Sequence, residues 1–305
     1  MKKPVLVMAL ALGASSVFAQ DLTSKKGEPI LPESGDWAIS MNVDPIFQFV
    51  GNAFSGSTAV NAAPGTNWTN VDQTIVGKMF IDEKSAYRAI VRLGFTSQTT
   101  KAMIADATVT AAPVYPAAPS MKEDVMKVGA TNIGIGVGKE FRRGHTRLQG
   151  VYGADAMIWI SSASKKYTYG NALATGVPGV SVASSTNFGG NLVNDPYGNA
   201  ARQTVNKAGM MFGFGVRGFI GAEYFIFPKL SIGAEYGWGI GFQVAGQGTQ
   251  TVESIGGTTP AVGTITTKTS GSSKFGFDTD MNQGGIFGFH GSGTGTASLR
   301  ATFHF

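Results

Sequence analysis

The chain has no cysteine, which excludes disulfides, thiolate metal sites and a lipid-acceptor thiol behind a leader. Charge is scarce as well. Only 14% of the 305 residues are Asp, Glu, Lys or Arg, and the formal net charge of +5 falls to +3 without Lys2 and Lys3, so no basic patch for nucleic acid is indicated. Beyond the N-terminus no apolar run approaches the length of a transmembrane helix. The three histidines, His145, His290 and His304, share no metal-ligand spacing. They are expected in a turn, a loop and a strand end, as surface or rim residues, and no metal or cofactor is expected.

What is abundant is glycine, 43 residues, with 10% aromatics and many threonines, at a mean hydropathy of +0.06. Apolar character spread this thinly suits strands that show an apolar side chain only at every second position.

The N-terminus reads as a cleavable secretory signal over residues 1–19. Lys2 and Lys3 precede an apolar stretch from Pro4 to Leu12, then small residues and Val17, Phe18 and Ala19. A polar leader follows over 20–36, where Pro29, Pro32 and Gly35 discourage regular structure. The remainder, 37–305, reads as one unit built of strands.

The period-two runs begin with Trp37, Ile39, Met41 and Val43, alternating with Ala38, Ser40, Asn42 and Asp44. Ile75–Ile81 and Ala86–Phe95 form a hairpin about Asp82–Ser85, and Thr131–Phe141 with Thr146–Ile160 form another about Arg142–His145. A third joins Ala208–Tyr224 to Leu230–Phe242 across Pro228 and Lys229. The final run, Ala297–Phe305, places Ala297, Leu299, Ala301, Phe303 and Phe305 on one face and Ser298, Arg300, Thr302 and His304 on the other. That makes eight strands. Pro45–Val50 and parts of the longest loops, such as Lys274–Asp278, could extend strands or add a further hairpin, which gives ten as the alternative count.

Connections alternate in length. Short turns follow the second, fourth and sixth strands, while long Gly/Thr/Ser/Asn-rich segments near 51–74, 96–130, 161–207 and 243–295 follow the odd ones. The expected fold is therefore all-β, an antiparallel up-and-down transmembrane β-barrel with both termini on the short-turn side. Trp37, Tyr87, Tyr224, Phe303 and Phe305 fall near the turn-side strand ends, where an aromatic girdle meets headgroups.

With its terminal aromatic on an alternating strand, the chain resembles small outer-membrane β-barrels of Gram-negative bacteria. The resemblance implies periplasmic turns, extracellular loops, and a C-terminal signal (Leu299, Ala301, Phe303, Phe305) read by the barrel-assembly machinery. It also implies a monomer in contact with outer-membrane lipid and lipopolysaccharide. It attaches no ligand or reaction.

By parity, Asp44, Lys78, Arg88, Arg92, Glu140, Arg147, Asp155, Arg217, Glu223, Glu235 and Arg300 share the inner face. Charges enclosed in a narrow barrel must be paired or hydrated, so they are expected to form a salt-bridged core; the alternative is a water-lined pore with facing charges. Gly134, Gly136, Gly138, Gly213, Gly215, Gly237, Gly239 and Gly241 would leave room on that face for longer neighbours. Gly213, Gly215 and Gly218 match a dinucleotide-loop spacing but sit inside an alternating strand rather than before a helix. Ser162 and Lys165 match S-x-x-K in what reads as an exposed loop.

No catalytic residue emerges. The sequence is read as a barrel with a structural or surface-interaction role carried by its long loops. A narrow porin for small solutes is the second reading, and a lipid-modifying rim enzyme using His290 the third.

Overall fold

The computed structural model describes residues 22–24, 26–43, 75–111, 113–176, 188–278 and 297–305. The signal-like segment, Asp44, the Pro45–Val50 patch and His290 lie outside these residues. All regular structure described is β, in one antiparallel sheet of thirteen strands. They are β1 (Trp37–Asn42), β2 (Ile75–Asp82), β3 (Ser85–Ala105), β4 (Met121–Arg143), β5 (Leu148–Thr168), β6 (Leu192–Asn194), β7 (Ala200–Lys207), β8 (Met211–Phe227), β9 (Leu230–Ala245), β10 (Gly248–Gly256), β11 (Ala261–Thr269), β12 (Ser272–Asp278) and β13 (Ala297–His304).

Eight of these strands pair in a closed circuit, β1-β2-β3-β4-β5-β8-β9-β13 and back to β1. The closing seam joins the first run to the last. Ile39 pairs with Phe303 and Met41 with Ala301, while Trp37 and Phe305 exchange backbone hydrogen bonds of 3.3 and 2.8 Å. Each strand in the ring coincides with a run whose period-two pattern is visible in the sequence, because one face is apolar and the other is not. The apolar face points outward: Trp37, Leu93, Ile135, Ile158, Phe214, Val216, Ile240 and Phe303 are all exposed.

At the turn end the leader folds back on the ring. Thr23 bridges Pro29, Ile30 is buried, Gly35 N donates to Phe80 O and Phe80 N to Asp36 O.

Three long connections expected as loops are partly strand. β3 and β4 stay in register from Ser85↔Phe141 to Ala105↔Met121, so residues 96–105 and 121–130 prolong the wall. β7 pairs with the end of β5 at Ser164↔Lys207 and carries β6 on one side, β10 and then β11 on the other. This extension has its own small core of Tyr167, Leu173, Phe188, Ala201 and Val252. β12, within a segment read as a strand extension or an additional hairpin, pairs with β9 over Gly239–Ala245, beyond the stretch Leu230–Tyr236 that pairs with β13. β12 and β13 thus run one after the other along the same neighbour.

Candidate functional site

The inward face of the ring is arranged in rows fixed by register. One row runs Lys78, Arg88, Gly138, Asp155, Arg217, Gly239, and the next, farther from the turns, Val76, Ile90, Gly136, Met157, Gly215, Gly241. Bulky side chains therefore stand beside glycines. A Cβ on Gly138 would come within 2.1 Å of Asp155 Oδ1, one on Gly237 within 2.3 Å of Arg217 Nε, and one on Gly213 within 2.1 Å of the Trp159 ring. Glycine here makes volume, not turns, and Gly213 and Gly215 lie inside β8 rather than ahead of a helix. Gly218 faces the other way, against Trp238.

Nine charged side chains fill the middle of the ring, all buried: Lys78, Arg88, Arg142, Arg217, Arg300, Glu140, Asp155, Glu223 and Glu235. Glu140 accepts from Lys78 (2.9 Å), Arg88 (3.1 Å) and Arg142 (3.4 Å). Arg88 reaches three carboxylates, Glu140, Asp155 at 3.2 Å and Glu235 at 3.1 Å. Arg217 binds Asp155 (3.3 Å) and Glu235, to which Arg300 comes within 4.0 Å. Arg142 donates to Glu223 at 2.6 Å, and Lys78 lies 3.7 Å from the same carboxylate.

Two of these contacts cross the ring. β3 and β9 are four strands apart in either direction, as are β2 and β8, so Arg88–Glu235 and Lys78–Glu223 join opposite walls. Such spans are possible because an eight-strand ring is only as wide as its side chains are long.

Apolar side chains lie on both sides of the ionic layer. Toward the turns, Phe80 and Phe225 flank His304 at 5.7 and 5.0 Å, with the Arg142 guanidinium over both rings. Phe219 is stacked by Arg88, 3.9 Å from its centroid. On the far side Val76, Ile90, Met157 and Trp159 form a buried apolar cluster.

The structure differs from the sequence expectation at three residues, of which Arg147 alone departs from parity. Arg147 stays out of the network: it sits in the β4–β5 turn, where its guanidinium donates to Phe225 O and Ile226 O. Arg142, expected in that turn, is inside because β4 continues through Arg143. His304, expected at the surface, is buried; His145 is exposed. Arg92 keeps the inward parity but is only partly buried.

Ser231 Oγ lies 3.0 Å from His304 Nε2 and donates to Glu223 Oε1, which is 3.6 Å from the same nitrogen. The carboxylate therefore sits on the serine side of the imidazole, not on Nδ1 where it would orient a base. Ser231 is wholly buried. Ser162 and Lys165 are in β5, three residues apart and hence on opposite faces. Among the described residues no group of acidic residues and histidines could hold a metal ion.

The extension beyond the ring carries a second polar cluster. Arg202 pairs with Glu253 at 2.9 Å, donates to Asn171 O, and lies over the Tyr169 ring. Burial pushes the Tyr169 phenol up to about 12, against the hydrogen bond from Asn191. At Asp195 burial acts upward, but hydrogen bonds from Asn199, Ser254 and the Asn199 and Tyr197 amides outweigh it and hold the carboxyl at about 2. These bonds knit the turn before β7 to β10.

No known protein family matches the chain, and no curated protein matches it.

Proposed function

We propose that the protein is a transmembrane β-barrel of the Gram-negative outer membrane, exported by its signal-like N-terminus, with a closed interior and a structural or surface-interaction role borne by the strand-built extension. The observation that carries this reading is the inversion of the ring. Its outer face is apolar where a water-soluble protein would be polar, and its inner face holds the ion pairs. A closed ring also leaves no unpaired edge in hydrocarbon, the condition every membrane-spanning sheet must meet.

The height of the apolar face fits a bilayer. On β3 the outward residues Tyr87, Ala89, Val91, Leu93 and Phe95 give way to Ser97, Thr99 and Lys101; on β5 the apolar set ends at Ile160, before Ser162, Ser164 and Lys166. Eight residue steps rise about 26 Å along a strand, and a tilted strand of this length covers much of an apolar band about 25 Å tall. Exposed Trp37, Tyr87, Phe141, Tyr152, Tyr224, Phe303 and Phe305 sit at the turn side, where a girdle belongs.

The closed interior is favoured over a porin because the side chains of Arg88, Glu140 and Asp155 have no exposed surface. The test has two arms. The protein should fractionate with outer membranes and show heat-modifiable mobility on gels; recovery in the soluble periplasm would sink the membrane reading. In planar bilayers the refolded protein should be electrically silent, and steady single-channel conductance would replace the structural role with the porin.

A further inference from the structure

The outward rows immediately above the apolar band have an unusual charge pattern. Register places Ser97, Gly129, Ser164, Lys207, Thr249 and Lys268 in one row and Thr99, Lys127, Lys166, Val205, Thr251 and Thr266 in the next. Four lysines and no carboxylate occupy these two rows. All four are exposed, and among the described residues none of them has an ion-pair partner. Lys127 and Lys166 are direct cross-strand partners, an arrangement of like charges that costs stability unless an anion lies between them. Lys165 points to the opposite face, and Lys101, one row higher, is already bound to Glu123 at 3.0 Å.

A depression of about 320 Å³ lies directly beneath the Lys127–Lys166 pair, lined by Phe95, Ser97, Gly129, Thr131, Ser162 and Ser164. Its lower edge is Phe95, the last apolar residue of the β3 band. Gly129 contributes no side chain, so the hydroxyls of Ser97, Thr131, Ser162 and Ser164 border open space.

We propose that this face binds the phosphorylated headgroup of a membrane lipid, with Lys127 and Lys166 flanking the phosphate, the hydroxyls bonding its oxygens, and Lys207 adding charge from the side. The inference rests on the membrane reading, since it needs acyl chains lying against Phe95, Ile160 and their neighbours below. A lipid is favoured over free phosphate because the cations stand where an apolar surface ends, which is where a lipid places its phosphate.

The test titrates phosphatidic acid against the full-length mature protein in neutral detergent micelles and counts retained lipid by native mass spectrometry. Wild type should retain phosphatidic acid in preference to phosphatidylcholine, and K127Q/K166Q should need about tenfold more lipid or above for equal retention. Lys207→Gln alone should give a smaller shift, and Lys101→Gln, at a charge already paired, none. Excess inorganic phosphate should leave retention unchanged. Equal retention by K127Q/K166Q overturns the proposal, and so does full competition by inorganic phosphate, which would make this an anion site rather than a lipid site. Insertion into neutral phosphatidylcholine vesicles is measured in parallel. Failure to insert removes the membrane reading itself, whereas normal insertion with unselective retention removes only the headgroup site.

Discussion

Trp159 on β5 and Gly213 on β8 are register partners, and a Cβ on the glycine would stand 2.1 Å from the indole. The tryptophan belongs to the apolar layer over the ionic interior and is 1% exposed. It has nowhere to retreat. Gly213→Ala should therefore destabilise the folded protein by about 1–3 kcal/mol, the usual penalty for overpacking. The urea midpoint in micelles measures it, and Trp159→Phe in the same background should recover part of the loss; an unshifted midpoint would mean that the layer is looser than the contact distances state.

Glu140 is the shared acceptor of Lys78, Arg88 and Arg142. Replacing it with Gln leaves three buried cations short of a charge, so Glu140→Gln should cost about 3–5 kcal/mol. Glu123→Gln breaks only the exposed pair with Lys101 and should cost no more than about 1 kcal/mol. Equal effects of the two in the same unfolding assay would contradict a buried network.

Val216 lies in the middle of the outward face of β8, in line with Ala156 and Val137, and is 50% exposed. If that face meets lipid, Val216→Arg should lower stability in bilayers by about 2–4 kcal/mol. Thr266→Arg, on the extension, should be neutral. Tolerance of Val216→Arg in vesicle refolding would place the face in water.

How far the sequence reveals this architecture depends on whether a strand has two unlike faces. β9 is the clearest case: Ile232, Tyr236, Ile240 and Val244 on one parity, Ser231, Glu235 and the glycines on the other. β7, β10 and β11 show no such alternation, as in Thr-Gln-Thr-Val-Glu-Ser, since outside the apolar band neither face needs to be apolar. The Thr-rich, β-branched composition of β10 and β11 is the signal that could have marked them as strands, and β7, Ala-Ala-Arg-Gln-Thr-Val-Asn-Lys, carries little of it. Inside the ring, parity reaches as far as the strand does. Carrying the alternation two residues past Glu140 would have placed Arg142 inside, and the same alternation puts His304 with Arg300 and Thr302. Parity fails at Arg147 because the turn, not the strand, sets its direction. Asp44 falls outside the described residues.

Asp195 gives the extension a pH dependence. Its carboxyl is held at about 2, below the ordinary 3.8, by bonds from Asn199, Ser254 and two backbone amides. A depressed carboxyl contributes stability above its ordinary value and loses it as pH falls toward the folded one. Protection of the amides around the Asp195–Asn199 turn, taken relative to the intrinsic exchange rate at each pH, should therefore fall between pH 4 and pH 2 while the ring stays protected. In Asp195→Asn the exchange should already be fast at neutral pH, with the acid step gone. An acid step of unchanged size in that variant would assign the transition to another group.

Phe305 closes the seam with Trp37 and is 61% exposed. Its backbone bonds survive substitution, but its outward aromatic ring does not, and under the proposed membrane reading that ring would lie at the lipid interface. Phe305→Ser should slow assembly, lowering the heat-modifiable folded fraction in growing cells while leaving the refolded protein's unfolding free energy within about 1 kcal/mol. Normal folded yield in cells would remove the terminal aromatic from any assembly role.

The contacts that cross the ring have a mechanical consequence. A hoop of hydrogen-bonded strands can flatten from a circle to an oval without lengthening its perimeter, and so without breaking a ladder bond. Arg88–Glu235 and Lys78–Glu223 act as two struts set along different diameters, so squeezing the hoop in either direction stretches or crushes one of them. The cross-section is thereby fixed from within, and opening a passage along the axis would require both struts to release together rather than a single side chain to swing aside.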